Sequence, residues 1–507
     1  MRRIALLVVC LGSAAALAHA QAPATPPVQA PATPPAQAPA NPPPVRLGHD
    51  VVLAGSLRSR AEMWNWFESS ANESYAYSGN IARIGLTQTK KQFDWQVEFA
   101  VPFLLGLPDD AIAAAPQGQL GLGPSYFAAN HNDTETADVF VKQASIRFTN
   151  LGGIAGHSLK VGRMEFMDGT EVAPRNGALA AVKRDRIGHR LIGNFGFSHV
   201  GRSFDGVQWV FNRPTVNVTG FAGRPTRGVF QVDGWGELDI TVVYGAVTAP
   251  VGTGARVGEW RAFGIGYFDD REGVLKTDSR PAVARRADTK DIKIGTFGGH
   301  YLQAVPTSKG PVDVMAWGAA QVGSWGALDQ RAGSFAVEAG WQPNAKALSR
   351  VAPWFRGGYN YGSGDRNPND DRHGTFFQLL PTPRIYARFP FFNMMNTGDG
   401  FGEAILRPSR SLTIRTDVHA LRLSSKDDLW YVGGGAFQPA TFGFVGRPSG
   451  GRSGLATLYD ASGDYRINAY ASVTAYYGHA FGRRVTETIY PSGPDADFGY
   501  LELTLRF

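Results

Sequence analysis

The chain ends in Tyr500-Leu-Glu-Leu-Thr-Leu-Arg-Phe507, and this stretch decides the fold. Successive side chains of an extended strand point to opposite faces. One face then carries Leu501, Leu503, Leu505 and Phe507, and the other carries Tyr500, Glu502, Thr504 and Arg506. A membrane-spanning barrel strand needs this arrangement, because one face contacts lipid and the other contacts water. An amphipathic strand of a soluble sheet that happens to end at Phe is the alternative interpretation.

The same alternation recurs along the chain at 238–244, 334–341, 412–419 and 468–474. No stretch after residue 20 reaches the roughly 20 consecutive apolar residues of a membrane helix. Turn residues separate the alternating segments. We expect tight turns at 90–91 and 269–273, and longer loops at 105–135, 170–200, 363–400 and 433–455.

The first twenty residues predict a secretory signal peptide with cleavage after Ala20. Arg2 and Arg3 precede a short apolar run, and small residues follow. A lipoprotein signal using Cys10 is the alternative, although Val8 and Val9 stand where a small residue is expected. Cleavage after Ala20 removes the only cysteine of the chain, which excludes a disulfide, a cysteine-ligated zinc ion and a cysteine nucleophile.

Residues 21–46 are almost wholly Ala, Pro, Gln and Thr, which predicts a disordered periplasmic spacer. Residues 47–507 then form the barrel. A secretory signal and a final phenylalanine, which resembles an outer-membrane sorting signal, place the chain in the bacterial outer membrane. The fold class is all-β, a transmembrane antiparallel β-barrel. About 460 residues at roughly 10 per strand, plus links, allow about 16–18 strands.

Charge within the strands points to an anion-selective lumen. Eleven of the 50 basic residues are lysines, so 39 are arginines. An arginine facing lipid near mid-membrane costs about 2–4 kcal/mol, so strand arginines should face the lumen or lie at strand ends. A structural ion pair or a contact with lipopolysaccharide phosphate is the alternative for each. The residues expected to line the pore from strand phase are Arg58, Arg60, Arg147, Arg415 and Asp417.

Three blocks of sequence resemble the alginate export family. The first combines 161–166, 190–192 and 201–207, the second is 358–381, and the third is 419–428. The resemblance implies an 18-stranded barrel and an arginine-rich constriction that attracts carboxylates. It carries this role to Arg163, Glu165, Arg202 and Asp205, although Arg163 shares its phase with apolar Val161. Arg202 and Asp205 are alternatively a structural pair. The spacer and the 363–370 loop depart from a dedicated alginate exporter.

These observations predict a passive channel for anionic solutes, such as an anionic polysaccharide like alginate. A porin for small anions is one alternative. A barrel-borne hydrolase or adhesion scaffold with a plugged lumen is another. We expect no enzyme activity and no cofactor, since adjacent Ser198 and His199 point to opposite faces. Outer-membrane lipids are expected partners, a periplasmic partner is compatible, nucleic acid is not, and the barrel should be monomeric.

One loop begins like a calcium site. Asp365, Asn367 and Asn369 alternate as in an EF-hand, but Asp370 replaces the glycine of position six and Phe376 replaces the final glutamate. A looser calcium site would use Asp365, Asn367, Asp370 and Asp371. A plain turn is the alternative.

Overall fold

The structure is a computed structural model, and it describes residues 42–174, 176–252 and 256–507. The predicted signal peptide and nearly all of the predicted spacer lie outside the described residues. Of the spacer, residues 42–46 are described, and Val45–Arg46 form a two-residue strand that pairs with Leu53 and Val52.

Eighteen long strands build one closed antiparallel barrel, as the resemblance implies. In chain order they are β1 Val51–Asn65, β2 Ser74–Thr89, β3 Phe93–Leu105, β4 Phe140–Thr149, β5 His157–Met164, β6 Phe204–Asn212, β7 Asn217–Pro225, β8 Ile240–Val251, β9 Val257–Asp269, β10 Ile292–Val305, β11 Val312–Trp325, β12 Leu328–Trp341, β13 Trp354–Gly362, β14 Thr397–Leu406, β15 Leu412–Leu423, β16 Gly454–Arg466, β17 Ala471–Gly482 and β18 Ala496–Arg506.

The barrel closes where the C-terminal strand β18 pairs with the first strand, β1. The register runs from Ser56 opposite Arg506 to Asn65 opposite Asp497. Phe507 extends this pairing through two backbone hydrogen bonds with Gly55. Closure leaves no strand edge unpaired in the lipid, where no water can satisfy it.

The predicted alternation of faces is confirmed in β12 and β18. Phe335 and Val337 are 43% and 48% exposed on the outer face, whereas Ser334 and Glu338 on the inner face are 5% exposed. In β18, Leu501 is 54% exposed and Tyr500 is 5% exposed. In these two strands the apolar face therefore points outward and the polar face points into the barrel. In β8 the inner face is also apolar, since Ile240 and Val242 are buried and Val243 is 47% exposed.

The links differ sharply between the two ends of the barrel, as expected for this class. At the short-turn end they comprise 90–92, 150–156, 213–216, 252–256, 306–311, 342–353, 407–411 and 467–470. At the long-loop end they comprise 66–73, 106–139, 165–203, 226–239, 270–291, 326–327, 363–396, 424–453 and 483–495. The turn predicted at 269–273 is wrong, because β9 ends at Asp269 and a link of more than twenty residues follows.

The long links carry the helices and the remaining short strands. The helices are α1 Gly123–Ala129, α2 Gly177–Val182, which continues as the π-helix Lys183–Ile187, α3 Ala282–Ala287 and α4 Arg484–Ile489. The short strands are Glu135–Ala137, Arg372–His373, Trp430–Gly433 and Phe444–Arg447, and the last two pair as a hairpin. Three-residue 3-10 turns lie at Gly48–Asp50, Leu151–Gly153, Lys346–Leu348 and Pro383–Ile385. In the described residues, we find no helix with the length and hydropathy to span a membrane.

Two of the long links fold back into the barrel interior. We call 165–203 the first inserted segment and 374–396 the second. They run side by side, since Leu380 N–H donates to the Leu191 carbonyl and Gly193 N–H donates to the Leu380 carbonyl. Leu191, Ile192 and Leu380 are fully buried. The core therefore lies inside the barrel, between the polar wall and these segments.

Candidate channel interior

A belt of buried and half-buried charges covers the inner wall. Alternation along each strand places these side chains inward, and the cross-strand register brings acids next to bases. The basic members are Arg58, Arg60, Arg83, Lys142, Arg261, Arg356 and Arg415, and the acidic members are Glu62, Glu98, Glu259, Asp313, Glu338, Glu403, Asp417, Asp460 and Glu502.

Basic residues of the first inserted segment pair with acids of the wall. Arg186 Nε lies 2.8 Å from Glu338 Oε2, and Arg190 Nη2 lies 3.4 Å from the other oxygen of Glu338. Lys183 Nζ lies 2.5 Å from Glu259. All of these side chains are nearly inaccessible to solvent, so a partner lost from any pair would leave an uncompensated buried charge.

Acids of the same segment pair with bases of the wall. Glu171 lies 2.9 Å from Arg261, Glu165 lies 3.5 Å from Arg83, and Asp185 lies 3.5 Å from Arg415. Ion pairs in both directions thus fix the first inserted segment to strands on several sides of the barrel.

These pairs hold the segment's carboxylates in the charged form. Burial by itself raises the pKa of Glu165, but Arg83 and Lys142 outweigh it and hold this pKa below its usual value. Burial likewise opposes ionisation of Glu171, and Arg261 and Lys183 again lower the pKa on balance. The contacts therefore act as true ion pairs at neutral pH.

Arg58 and Arg60 lie on the inner wall as predicted from strand phase. Arg60 Nε donates to Glu502 at 2.8 Å, and Nη1 donates to the Phe197 carbonyl at 3.1 Å. Its guanidinium lies 4.4 Å from the Phe197 ring centroid and 4.5 Å from that of Tyr500. Arg58 donates to the carbonyls of Gly196 and Ser198. Both arginines anchor the first inserted segment.

Arg202 is completely buried between the two inserted segments and the 424–453 link. It donates to the carbonyls of Gly193 and Leu380 at 3.1 and 2.9 Å, and to those of Gly434 and Ala436 at 3.0 Å each. This placement makes Arg202 a brace of the interior. The Arg202–Asp205 pair, which the sequence offered as an alternative, does not form.

Asp205 pairs with Arg163 instead. Arg163 donates to both oxygens of Asp205, at 2.7 and 2.6 Å, and to the carbonyl of Trp235 at 2.8 Å. Arg163 lies two residues from Val161, which is 41% exposed on the outer face. This pair therefore braces the rim at the long-loop end, and neither residue enters the lining proposed below.

Arg147 and Glu165 lie at different depths of the barrel. Arg147 donates to Asp94 at 2.8 Å near the short-turn end. Glu165 accepts a hydrogen bond from Asn194 at 2.9 Å besides its contacts with Arg83 and Lys142. The structure does not bring these two residues together.

Arg415 and Asp417 border a small interior cavity of about 10 Å³, together with Asp460, Tyr476 and Arg388 of the second inserted segment. Arg415 lies 3.2 Å from Glu403, and its side chain keeps 24% of its exposure. Arg388 also keeps 24% and donates to the Tyr500 hydroxyl at 3.1 Å. Arg415 is more accessible than the other basic residues of the belt, and Arg388 of the second inserted segment is equally accessible.

Sequence reasoning missed Arg388, Arg384 and the bases of the π-helix. They lie in segments predicted as loops, where neither period two nor period 3.6 gives a face. A usable signal is the recurrence of basic residues inside an unusually apolar link, since 384–395 holds two arginines, three phenylalanines and two methionines.

The predicted calcium loop forms turns. The Asp365 side chain accepts from the Asn367 N–H at 3.1 Å, Asn367 accepts from Asn369 at 3.2 Å, and Asp370 accepts from Arg372 at 3.0 Å. Asp371 is exposed. These hydrogen bonds are those of Asx turns, the plain-turn alternative.

Comparison with known proteins decides the family. The sequence model described as alginate export matches residues 92–482, more than three quarters of the chain. The chain belongs to the alginate export family. The resemblance seen in the three sequence blocks is thereby confirmed. A search of curated proteins finds no match.

Solved structures of outer-membrane porins share the fold. OccK9 (OpdG) of Pseudomonas aeruginosa superposes with a TM-score of 0.54 at 9% identity, covering 90% of this chain and 98% of that one. OccAB1 of Acinetobacter baumannii gives 0.54 at 10% identity, covering 90% and 96%. OpdK of Pseudomonas aeruginosa, solved with vanillate, gives 0.50 at 9%, covering 90% and 98%. This alginate export family member is therefore a channel barrel of the bacterial outer membrane.

Proposed function

We propose that this alginate export family member lets anionic solutes, foremost an anionic polysaccharide such as alginate, diffuse through an arginine-lined lumen. The observation that carries the proposal is the partial exposure of Arg388 and Arg415 beside an interior cavity. Guanidinium keeps its charge at any relevant pH and offers a planar fork to a carboxylate. Fixed cations that remain accessible attract anions, while the neighbouring acids prevent tight retention.

Reversal potentials in planar bilayers under a salt gradient test this proposal. Arg388→Glu combined with Arg415→Glu should shift the preference from anions toward cations, because two positive charges of the lining become negative. The matched control is Arg331→Glu, since Arg331 pairs with Asp329 at the surface and both are more than 60% exposed. An unchanged reversal potential in the double variant would reject these two residues as the lining.

A second candidate is a porin for small organic anions. The filling of the interior by two inserted segments favours it, because a polymer needs a wider continuous path than a small carboxylate does. The fold is shared with OpdK, whose structure was solved with vanillate, a small carboxylate. Size exclusion separates the two candidates, as argued in the Discussion.

A further inference from the structure

One cluster on the inner wall has the composition of a metal site. Asp417 and His419 lie on β15, and Asp460 lies opposite Asp417 on the neighbouring strand β16. One ligand atom from each residue lies within 4.8 Å of the others. Alternation puts Asp417 and His419 on the same face, two residues apart, so the three side chains converge.

His419 is oriented by a fourth residue. Its ring is 1% exposed, and its Nδ1 lies 3.0 Å from Asp399 Oδ1 on β14. Within the described residues, Nε2 of His419 has no hydrogen-bond partner, although it is buried. Since Nδ1 is engaged by Asp399, Nε2 is the ring atom left for the two carboxylates. A buried polar atom without a partner requires an explanation, and a bound ion is one.

The carboxylates retain free acceptor capacity. Asp417 Oδ1 is also buried without a hydrogen-bond partner in the described part of the chain. Asp460 accepts from the Tyr476 hydroxyl at 2.6 Å and from the Arg388 N–H at 3.2 Å. Each carboxylate oxygen has two lone pairs, so these bonds leave Asp460 able to ligate a cation.

The charge at this point of the belt is unbalanced. Among the described residues, Asp417 and Asp460 form no ion pair with a lysine or arginine, unlike the other acidic members of the belt. The neighbouring Arg415 forms its ion pairs with Glu403 and Asp185 instead. A cavity of about 10 Å³ reaches both Asp417 and Asp460, which is about the space of one water-sized ligand.

We propose that Asp417, His419 and Asp460 bind one divalent transition-metal ion, with Zn²⁺ the best match. An imidazole nitrogen and two carboxylates are a ligand set that Zn²⁺ accepts, and three protein ligands leave a fourth position open. Ca²⁺ and Mg²⁺ prefer oxygen ligands only. The Asp399–His419 contact is the outer-shell bond that fixes the tautomer of metal-bound histidines.

Metal titration of the purified full-length barrel in detergent tests this site. After chelator treatment, the wild type should bind one Zn²⁺ per chain by calorimetry, and Co²⁺ should give the visible bands of a tetrahedral site. His419→Gln and Asp460→Asn should each weaken binding by at least about tenfold. Asp399→Asn should weaken it by roughly 10–100-fold, since it removes an outer-shell partner.

His479→Gln is the matched control. His479 Nδ1 lies 2.7 Å from Asp497, so this residue also pairs with an aspartate but lacks the second and third acids. Heat-modifiable migration on gels establishes that each variant has folded. The assignment is overturned if the wild type takes up neither ion, or if folded His419→Gln binds as the wild type does; a protonated histidine between two carboxylates then explains the cluster. No solute is present, so the outcome is independent of the proposed transport.

Discussion

Arg202 illustrates how a single side chain can determine the shape of the interior. Its guanidinium donates to four carbonyls drawn from three separate links, so one side chain joins both inserted segments and the 424–453 link. Burial lowers the pKa of Arg202 to about 9, so the side chain still carries its charge at neutral pH. These hydrogen bonds offset the cost of burying this charge.

Replacing Arg202 should loosen the interior without opening the barrel wall. In Arg202→Met the volume is nearly kept, but the carbonyls of Gly193, Gly434 and Ala436 lose their donor, at about 1–3 kcal/mol for each one that finds no substitute. The Leu380 carbonyl still accepts from the Gly193 N–H. We expect faster cleavage within 165–203 and 374–396 by added protease, with unchanged strand content by circular dichroism. Arg331→Met at the surface should behave as the wild type. Protection equal to wild type would show that Arg202 is not the brace.

At the scale of elements, strands were predictable and inserted segments were not. The phase of 334–341 follows from alternation alone, because lipid on one side and water on the other impose it. The partners of the first inserted segment are far away in sequence, as with Arg186 and Glu338, which are 152 residues apart. Local patterns carry no information on such pairs. For the same reason the strand phase predicts that Arg60 points inward, as it does, whereas Arg388 lies in a link that has no phase.

The first inserted segment contains two groups that oppose each other in acid. Burial lowers the pKa of His189 to about 4 and raises that of Asp168 to about 6. We call the first inserted segment closed when it is packed inside the barrel as in the structure. A histidine whose pKa is lowered in the closed state stabilises that state less as the pH falls from about 6.5 to 4. An aspartic acid with a raised pKa does the reverse, so closure gains as the pH falls from about 6 to 3.8.

The two effects should nearly cancel in the wild type between pH 6 and 4. Asp168→Asn keeps the acceptor for Leu191 and Ile192 but removes the titration. Acid should then destabilise the closed segment by up to about 3 kcal/mol, from 1.36 kcal/mol per pKa unit. His189→Gln should give the opposite trend. Both effects are measured by hydrogen exchange of the amides in 165–203 at pH 6.5 and 4.5, corrected for intrinsic rates. The same change in protection between the two pH values in the wild type and both variants would contradict the role given to Asp168 and His189.

At the scale of the whole molecule, the barrel and its contents have different roles. Eighteen strands closed by β1 and β18 fix a wide cylinder, and a cylinder of this size encloses an aqueous lumen unless links fill it. Here two links do fill it, and reciprocal ion pairs hold the first to the wall. We therefore expect the inserted segments, and not the number of strands, to set the size limit of the channel.

Weakening that attachment should raise the size limit. Glu338 meets Arg186, Arg190 and Arg356, so Glu338→Gln leaves three buried guanidinium groups undercompensated, a loss of roughly 3–5 kcal/mol. We expect larger and noisier single-channel conductance and partitioning of larger polyethylene glycols than in the wild type. Asp329→Asn removes an exposed partner of Arg331 and serves as the control. Equal conductance in Glu338→Gln and the wild type would show that the first inserted segment does not limit the path.

Oligouronates of increasing length then separate the two cargo candidates. Passage of long oligomers through the wild type supports the polysaccharide, whereas their passage only through Glu338→Gln supports small anions.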